Sequence, residues 1–92
     1  MIILFVEDNL SLAMLTARNI KIERSSWRML APGSCFEARN VTDHIVPDVA
    51  LIDLELPDGN GLDLLLELHL KFDDLPIFII SGSASEKIHR EV

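Results

Sequence analysis

One stretch limits what this chain can become: Leu51-Ile52-Asp53-Leu54-Glu55-Leu56-Pro57-Asp58-Gly59-Asn60-Gly61. An apolar run beginning at Val49 brings a carboxylate, Asp53, to its far end; Pro57 and then Gly61 follow at intervals of four. The run reads as a buried parallel strand over 49–54, and the Pro/Gly segment as a loop that turns into a helix. An acid at the carboxyl end of a parallel strand, facing such a loop, is where open α/β sheets do chemistry.

The remaining chain reads as what surrounds that acid. Ile2 to Val6 is an unbroken run of β-formers, a second buried strand, and it ends at the adjacent acids Glu7-Asp8. By position alone that pair reads equally as a polar strand end or as a paired-carboxylate cation site. From Asn9 the period becomes helical. Leu10, Ala13, Met14, Ala17 and Ile20 share one face, with Asp8 or Asn9 as cap and Met14 as core filler, as far as Arg24. Trp27 to Ala31 reads as an edge strand stopped by Pro32-Gly33. Ser34-x-x-Glu37 has the form of a capping box and starts a helix that turns Phe36, Val41 and Ile45 to the core and stops near Val46, before Pro47.

Asn60 caps a further helix with Asp63 in its first turn. Its leucines, Leu62, Leu65, Leu66, Leu68 and Leu70, cover so much of the surface that some must be exposed or covered by a partner. Ile77 to Ile80 is a fourth buried-type strand, ending at Ser81-Gly82-Ser83; Ser83-x-x-Glu86 is a second capping box, so a helix is predicted from there to Val92.

Composition removes several alternatives. The chain has 92 residues, one small domain over 1–92, and an apolar content of 49% excludes disorder. Eight basic against 15 acidic residues, a net charge of −7, argue against a nucleic-acid surface. The single cysteine, Cys35, rules out an internal disulfide and a multi-cysteine metal cage and fits a reducing cytosol. The start lacks a charged n-region, and no apolar run approaches a membrane span, so a soluble cytoplasmic protein is expected. Cys35, Trp27 and His44 read as packing or surface residues.

The strands and helices alternate, which implies a mostly parallel sheet covered on both faces with right-handed crossovers. In a sheet of order 2-1-3-4 the first and third strands are neighbours where the winding reverses. Glu7, Asp8 and Asp53 would then meet in the crevice and repel one another. A hard divalent cation with oxygen ligands resolves that repulsion; Mg2+ suits few carboxylates plus water and a phosphate oxygen. A carboxylate beside it can act as a nucleophile toward phosphorus.

The acidic pair Glu7-Asp8 after the first strand, Asp53-x-x-x-Pro57-x-x-x-Gly61, and Ser81 with Gly82 after the fourth strand together resemble the receiver domain of bacterial two-component response regulators. The resemblance covers the whole chain, and it implies a flavodoxin-like doubly wound fold. It implies that Asp53 is the phosphoacceptor for a sensor histidine kinase or phosphotransfer protein, that Glu7, Asp8, Asp53 and the backbone carbonyl of Glu55 hold Mg2+, and that Ser81 hydrogen-bonds the phosphoryl group. At most slow self-dephosphorylation is implied. A full receiver domain continues into a fifth strand, which begins with a Lys that pairs with the phosphoryl group, and a fifth helix. The sequence reads as incomplete there, and Lys87 lies too early to be that Lys. The alternative reading is a non-catalytic, receiver-like dimerisation module. The fourth strand, left at the sheet edge, predicts a homodimer or a swapped assembly through that edge and the helix after it.

Overall fold

The structure, a computed structural model, describes residues 1–80 together with the backbone of residues 88–91. The elements run β1 (Ile2–Val6), α1 (Leu10–Glu23), β2 (Arg28–Leu30), α2 (Cys35–Thr42), β3 (Val49–Asp53), the two-residue strands β4 (Glu55–Leu56) and β5 (Gly59–Asn60), α3 (Gly61–Lys71), β6 (Ile77–Ile80) and β7 (Ile88–Glu91). The main sheet has the order β2-β1-β3-β6-β7, parallel except for β7, which pairs antiparallel with β6. The predicted doubly wound order of the first four strands is therefore present.

Alternation along the strands sorts the core. Leu4, Val6, Ala50, Ile52, Ile77 and Ile79 join one buried cluster with Cys35 and Ala38 of α2 and Leu64, Leu65 and Leu68 of α3. Ile3 and Phe5, buried but outside that cluster, belong to the opposite face, where a right-handed crossover puts α1. Burying a leucine or isoleucine side chain is worth about 1.5–3 kcal/mol, so the α2/α3 side supplies most of the apolar stabilisation.

The helices are rotated from two of the predicted faces. In α1 only Ala13 is buried, with Thr16, Ala17 and Ile20 half-buried; Leu10 and Met14 are exposed, so Met14 is not core filler. In α2 the inward residues are Cys35, Ala38 and Thr42, while Phe36 is exposed. The Asp58 side chain fixes that rotation: it accepts from the Cys35 and Phe36 N–H groups at 2.8 and 2.9 Å. The flank of α3 bearing Glu67 and Lys71 meets α2 through Arg39–Glu67 (2.7 Å) and Asp43–Lys71 (2.5 Å). These exposed pairs set alignment more than stability. Leu62, Leu66 and Leu70 lie on the adjoining arc, and Leu70 is 82% exposed.

Two further differences concern the C-terminal side. The loop after Asp53 contains a small hairpin, with Glu55 opposite Asn60, Leu56 opposite Gly59, and Pro57-Asp58 as its turn. Pro at the second turn position presets φ and Gly at the fourth ends it, the composition of a type I turn. Beyond β6, the helix predicted to run to Val92 gives way to strand at Ile88–Glu91. The bare edge of β6 is the physical reason: its backbone groups offer pairing that a helix would leave unmet. The start of that predicted helix, Ser83 to Lys87, and Ser81 lie outside the described residues. No described helix is long and apolar enough to cross a membrane.

The rotation of α3 is checked by paired substitutions. Leu64→Ala should cost about 2–5 kcal/mol in urea unfolding. Leu70→Ala should stay within about 0.5 kcal/mol. Similar costs at both positions would contradict the assigned inward face.

Candidate functional site

The register of β1 on β3 builds the site. Val6 pairs with Ile52, so the next residues, Glu7 and Asp53, emerge side by side at the carboxyl ends of the two central strands. Asp8 follows. One carboxylate oxygen from each of Glu7, Asp8 and Asp53 lies within 4.8 Å of the others. All three residues are legible in the sequence, whereas the distance between them is set by the strand register.

Each acid is held differently. Glu7 is only 7% exposed. Its N–H donates to the Pro32 carbonyl at 3.1 Å, and its Oε2 accepts from the Asn9 N–H at 3.0 Å. Asn9 in turn caps α1 by accepting from the Leu12 N–H at 3.1 Å, so the helix start and the buried acid are tied together. Burial pushes the Glu7 carboxyl up from its ordinary value of 4.5; the Asn9 N–H opposes the rise, and the negative charges of Asp53 and Asp8 add to it. Asp53 is half-buried and accepts from the Glu55 N–H at 3.3 Å. Asp8 is exposed.

Backbone positions matter as much as side chains here. The Leu54 N–H donates to the Ile80 carbonyl at 3.1 Å, which docks the end of β3 on β6, and the Gly61 N–H donates to the Leu54 carbonyl at 2.8 Å. A Cβ on Gly61 would collide with the Asp53 carbonyl oxygen and stand 3.0 Å from its carbon and from Leu54 Cα. Only glycine lets the start of α3 sit directly on the peptide that carries Asp53. Asp58, which the sequence reading passed over, ties the hairpin to α2, and those two N–H groups hold its carboxyl below its ordinary 3.8. Its visible signal was an acid one residue after Pro57, within reach of a helix start.

The three acids fit a divalent cation. Glu7 is a buried carboxylate under like-charge pressure, and among the described residues neither ion pair involves any of the three. Few carboxylates, one of them exposed to water, are the donor set that Mg2+ takes.

A parallel sheet wound in both directions, with clustered acids at its switch point, defines the class. The chain belongs to the response regulator receiver domain family, whose model matches residues 3–92. The non-phosphorylated HemR receiver domain of Leptospira biflexa superposes with a TM-score of 0.78 at 32% identity, covering 91% of this chain and 66% of that one. TrrA of Thermotoga maritima, solved in complex with Mg2+-BeF, shares the fold with a TM-score of 0.77 at 21% identity, covering 90% of this chain and 71% of that one. Among longer relatives, a protein-glutamate methylesterase/protein-glutamine glutaminase of Gluconobacter oxydans is 29% identical over 90% of this chain, and the transcriptional regulatory protein DpiA of Escherichia coli is 36% identical over 72%. The chain spans 23% and 29% of those two proteins.

Two outcomes follow. A carboxyl whose pKa is raised on folding binds more protons folded than unfolded; its contribution is fully present below 4.5 and is lost as pH rises through the raised folded value. Glu7→Gln, measured without divalent cations, should therefore melt above the wild type at neutral pH, and the gap should close as pH falls toward 4.5. Gly61→Ala should lower stability by about 1–3 kcal/mol in denaturant unfolding, the usual cost of forcing an extra methyl into a packed site. Stability equal to the wild type would show that α3 does not press on Asp53.

Proposed function

We propose that this chain accepts a phosphoryl group on Asp53 from a phosphohistidine of a sensor kinase or phosphotransfer protein. The observation that carries the reading is the meeting of Glu7, Asp8 and Asp53 at the switch point. Glu7, Asp8 and Asp53, with the Glu55 backbone carbonyl, would hold Mg2+. Bound there, Mg2+ supplies the positive charge that offsets these acids and the phosphoryl oxygens.

The residues themselves divide the remaining work. An Asp53 carboxylate oxygen attacks phosphorus as the P–N bond of the phosphohistidine breaks, and the bonding electron pair returns to the imidazole nitrogen. The Glu55 N–H holds one Asp53 carboxylate oxygen and Gly61 packs on the Asp53 peptide, so less freedom is lost on reaching the reacting geometry. Glu7 and Asp8 keep the crevice negative, so an anionic phosphoryl donor enters poorly without a cation. Ser81 is assigned the hydrogen bond to the phosphoryl group. Slow hydrolysis of the acyl phosphate by water returns Asp53 to its carboxylate.

Of the two forms expected for association through the fourth strand, the swapped one fits better. In this chain β7 pairs with β6 at that edge, so two copies joined there would have to exchange β7.

The test is binding of beryllofluoride, a phosphoryl mimic, followed by 19F NMR with and without Mg2+. Binding is expected only with Mg2+ and should vanish in Asp53→Asn. No binding to the wild type at roughly millimolar Mg2+, a concentration that still detects weak sites, would overturn the phosphoacceptor reading in favour of a non-catalytic interaction module.

A further inference from the structure

Charge in this chain is segregated. Residues 9–36 hold Arg18, Lys21, Arg24 and Arg28 against the single acid Glu23, a net of +3 within a chain of −7. Among the described residues, Arg39 and Lys71 are ion-paired, whereas these four cations have no carboxylate partner. They collect at the C-terminal half of α1 and the start of β2. Arg28 pairs with Ile2 at the amino end of β1, the end of the sheet opposite Glu7 and Asp53.

That region is also concave and partly apolar. A groove of about 360 Å3 is lined by Thr16, Asn19, Ile20, Glu23, Arg24 and Trp27. A second hollow, of about 210 Å3, shares Ile20 and Trp27 and adds Lys21, Arg28 and Met29. Trp27 is half-buried, and the Arg24 guanidinium stands 5.7 Å from its ring centre. Lys21 donates to the Ser25 and Trp27 carbonyls at 3.3 and 3.4 Å, and Arg18 lines neither hollow, which leaves Arg24 and Arg28 as the lining cations placed to meet a ligand.

We propose that this face docks an acidic segment of a partner protein, with an apolar side chain seated between Ile20 and Trp27 and carboxylates meeting Arg24 and Arg28. An apolar floor under a cationic rim matches a mixed acidic and apolar peptide. A nucleic acid fits less well. Arg24 already covers one face of the Trp27 ring, and a continuous phosphate chain would have to pass Glu23, where a peptide can place an uncharged residue. The face lies away from the acid cluster, so a partner held there leaves Asp53 accessible.

Trp27 is the only tryptophan in the chain, so its fluorescence reports occupancy of the groove. The probe is a synthetic amphipathic peptide of Glu, Leu and Phe at helical spacing, compared with the same peptide carrying Lys for Glu. The Glu peptide should give a saturable change that weakens with added salt, and the Lys peptide none. Arg24→Glu with Arg28→Glu should weaken binding by about tenfold or more, the scale of losing exposed charge pairs across an interface. Arg24→Gln with Arg28→Gln should weaken it in the same direction if the reversed pair does not fold by circular dichroism. Asp53→Asn should bind as the wild type does. No saturable change at about 1 mM Glu peptide, where even a weak site fills, would overturn the proposal, as would equal binding of the Lys peptide or of the glutamine variant. Tighter binding of oligothymidylate or of phosphatidylserine vesicles than of the Glu peptide would overturn the choice of an acidic protein segment.

Discussion

The parallel pairing of β1 with β3 is the constraint on which the rest of the molecule depends. β1 is buried on both faces from Ile3 to Val6, and β3 buries Ala50 and Ile52 on the face it shares with Leu4 and Val6, so their pairing is fixed by burial. The register then decides where their polar ends fall. With Val6 opposite Ile52, Glu7 has no choice but to stand beside Asp53. The chain leaves the two strands by crossovers to opposite faces of the sheet, which opens a crevice at their carboxyl ends. The same hydrophobic pairing that stabilises the fold thus creates an electrostatic penalty at its end. Glu7 bears that penalty through burial and through its two acidic neighbours.

Holding an acid in such a place requires rigid support, and the support comes from backbone more than from side chains. Gly61 lets α3 begin against the Asp53 peptide, and the Gly61 N–H to Leu54 carbonyl bond closes the β4–β5 hairpin into a compact loop. The hairpin's own turn residue, Asp58, caps α2 through two N–H groups, so a helix start and the loop beside the acid are one unit. Anionic side chains at a helix N-terminus are favoured by its exposed N–H groups and dipole. In this way a local sequence choice, Pro57-Asp58-Gly59, becomes a long-range tie of 23 residues between Asp58 and Cys35.

How much of this could be read in the sequence depended on whether the signal was local. The three central strands, the caps at Ser34 and Asn60, and the acids Glu7, Asp8 and Asp53 were legible because each rests on a run or a short spacing. The rotation of α1 was not. Leu10, Leu12, Met14, Leu15 and Ile22 are apolar around most of that helix, so the pattern gives no unique inward face, and the sheet accepted the small Ala13. Phe36 was misplaced for a related reason: hydrophobicity alone put it inside, whereas the Asp58 contact, invisible to any periodicity, turned the α2 face toward Cys35 and Ala38. The strand at Ile88–Glu91 was missed because a capping box is a local signal and the open edge of β6 is a tertiary one.

Segregating the charge has a consequence for communication across the sheet. Five residues of β1 separate Arg28, level with Ile2, from Glu7, a strand length of about 16 Å at the usual rise per residue. Physiological salt screens exposed charges over about 8 Å. A change of charge at Asp53 is therefore largely invisible, through space, to a carboxylate held by Arg24 or Arg28. Coupling between the two ends would have to travel through packing: along β1, whose side chains from Ile3 to Val6 are buried without gaps, and across to β2 by the parallel pairs Ile3–Met29 and Leu4–Leu30. Met29 and Arg28 both pair with β1 and line the hollow beside Trp27, so a shift of β1 would reach that face through them.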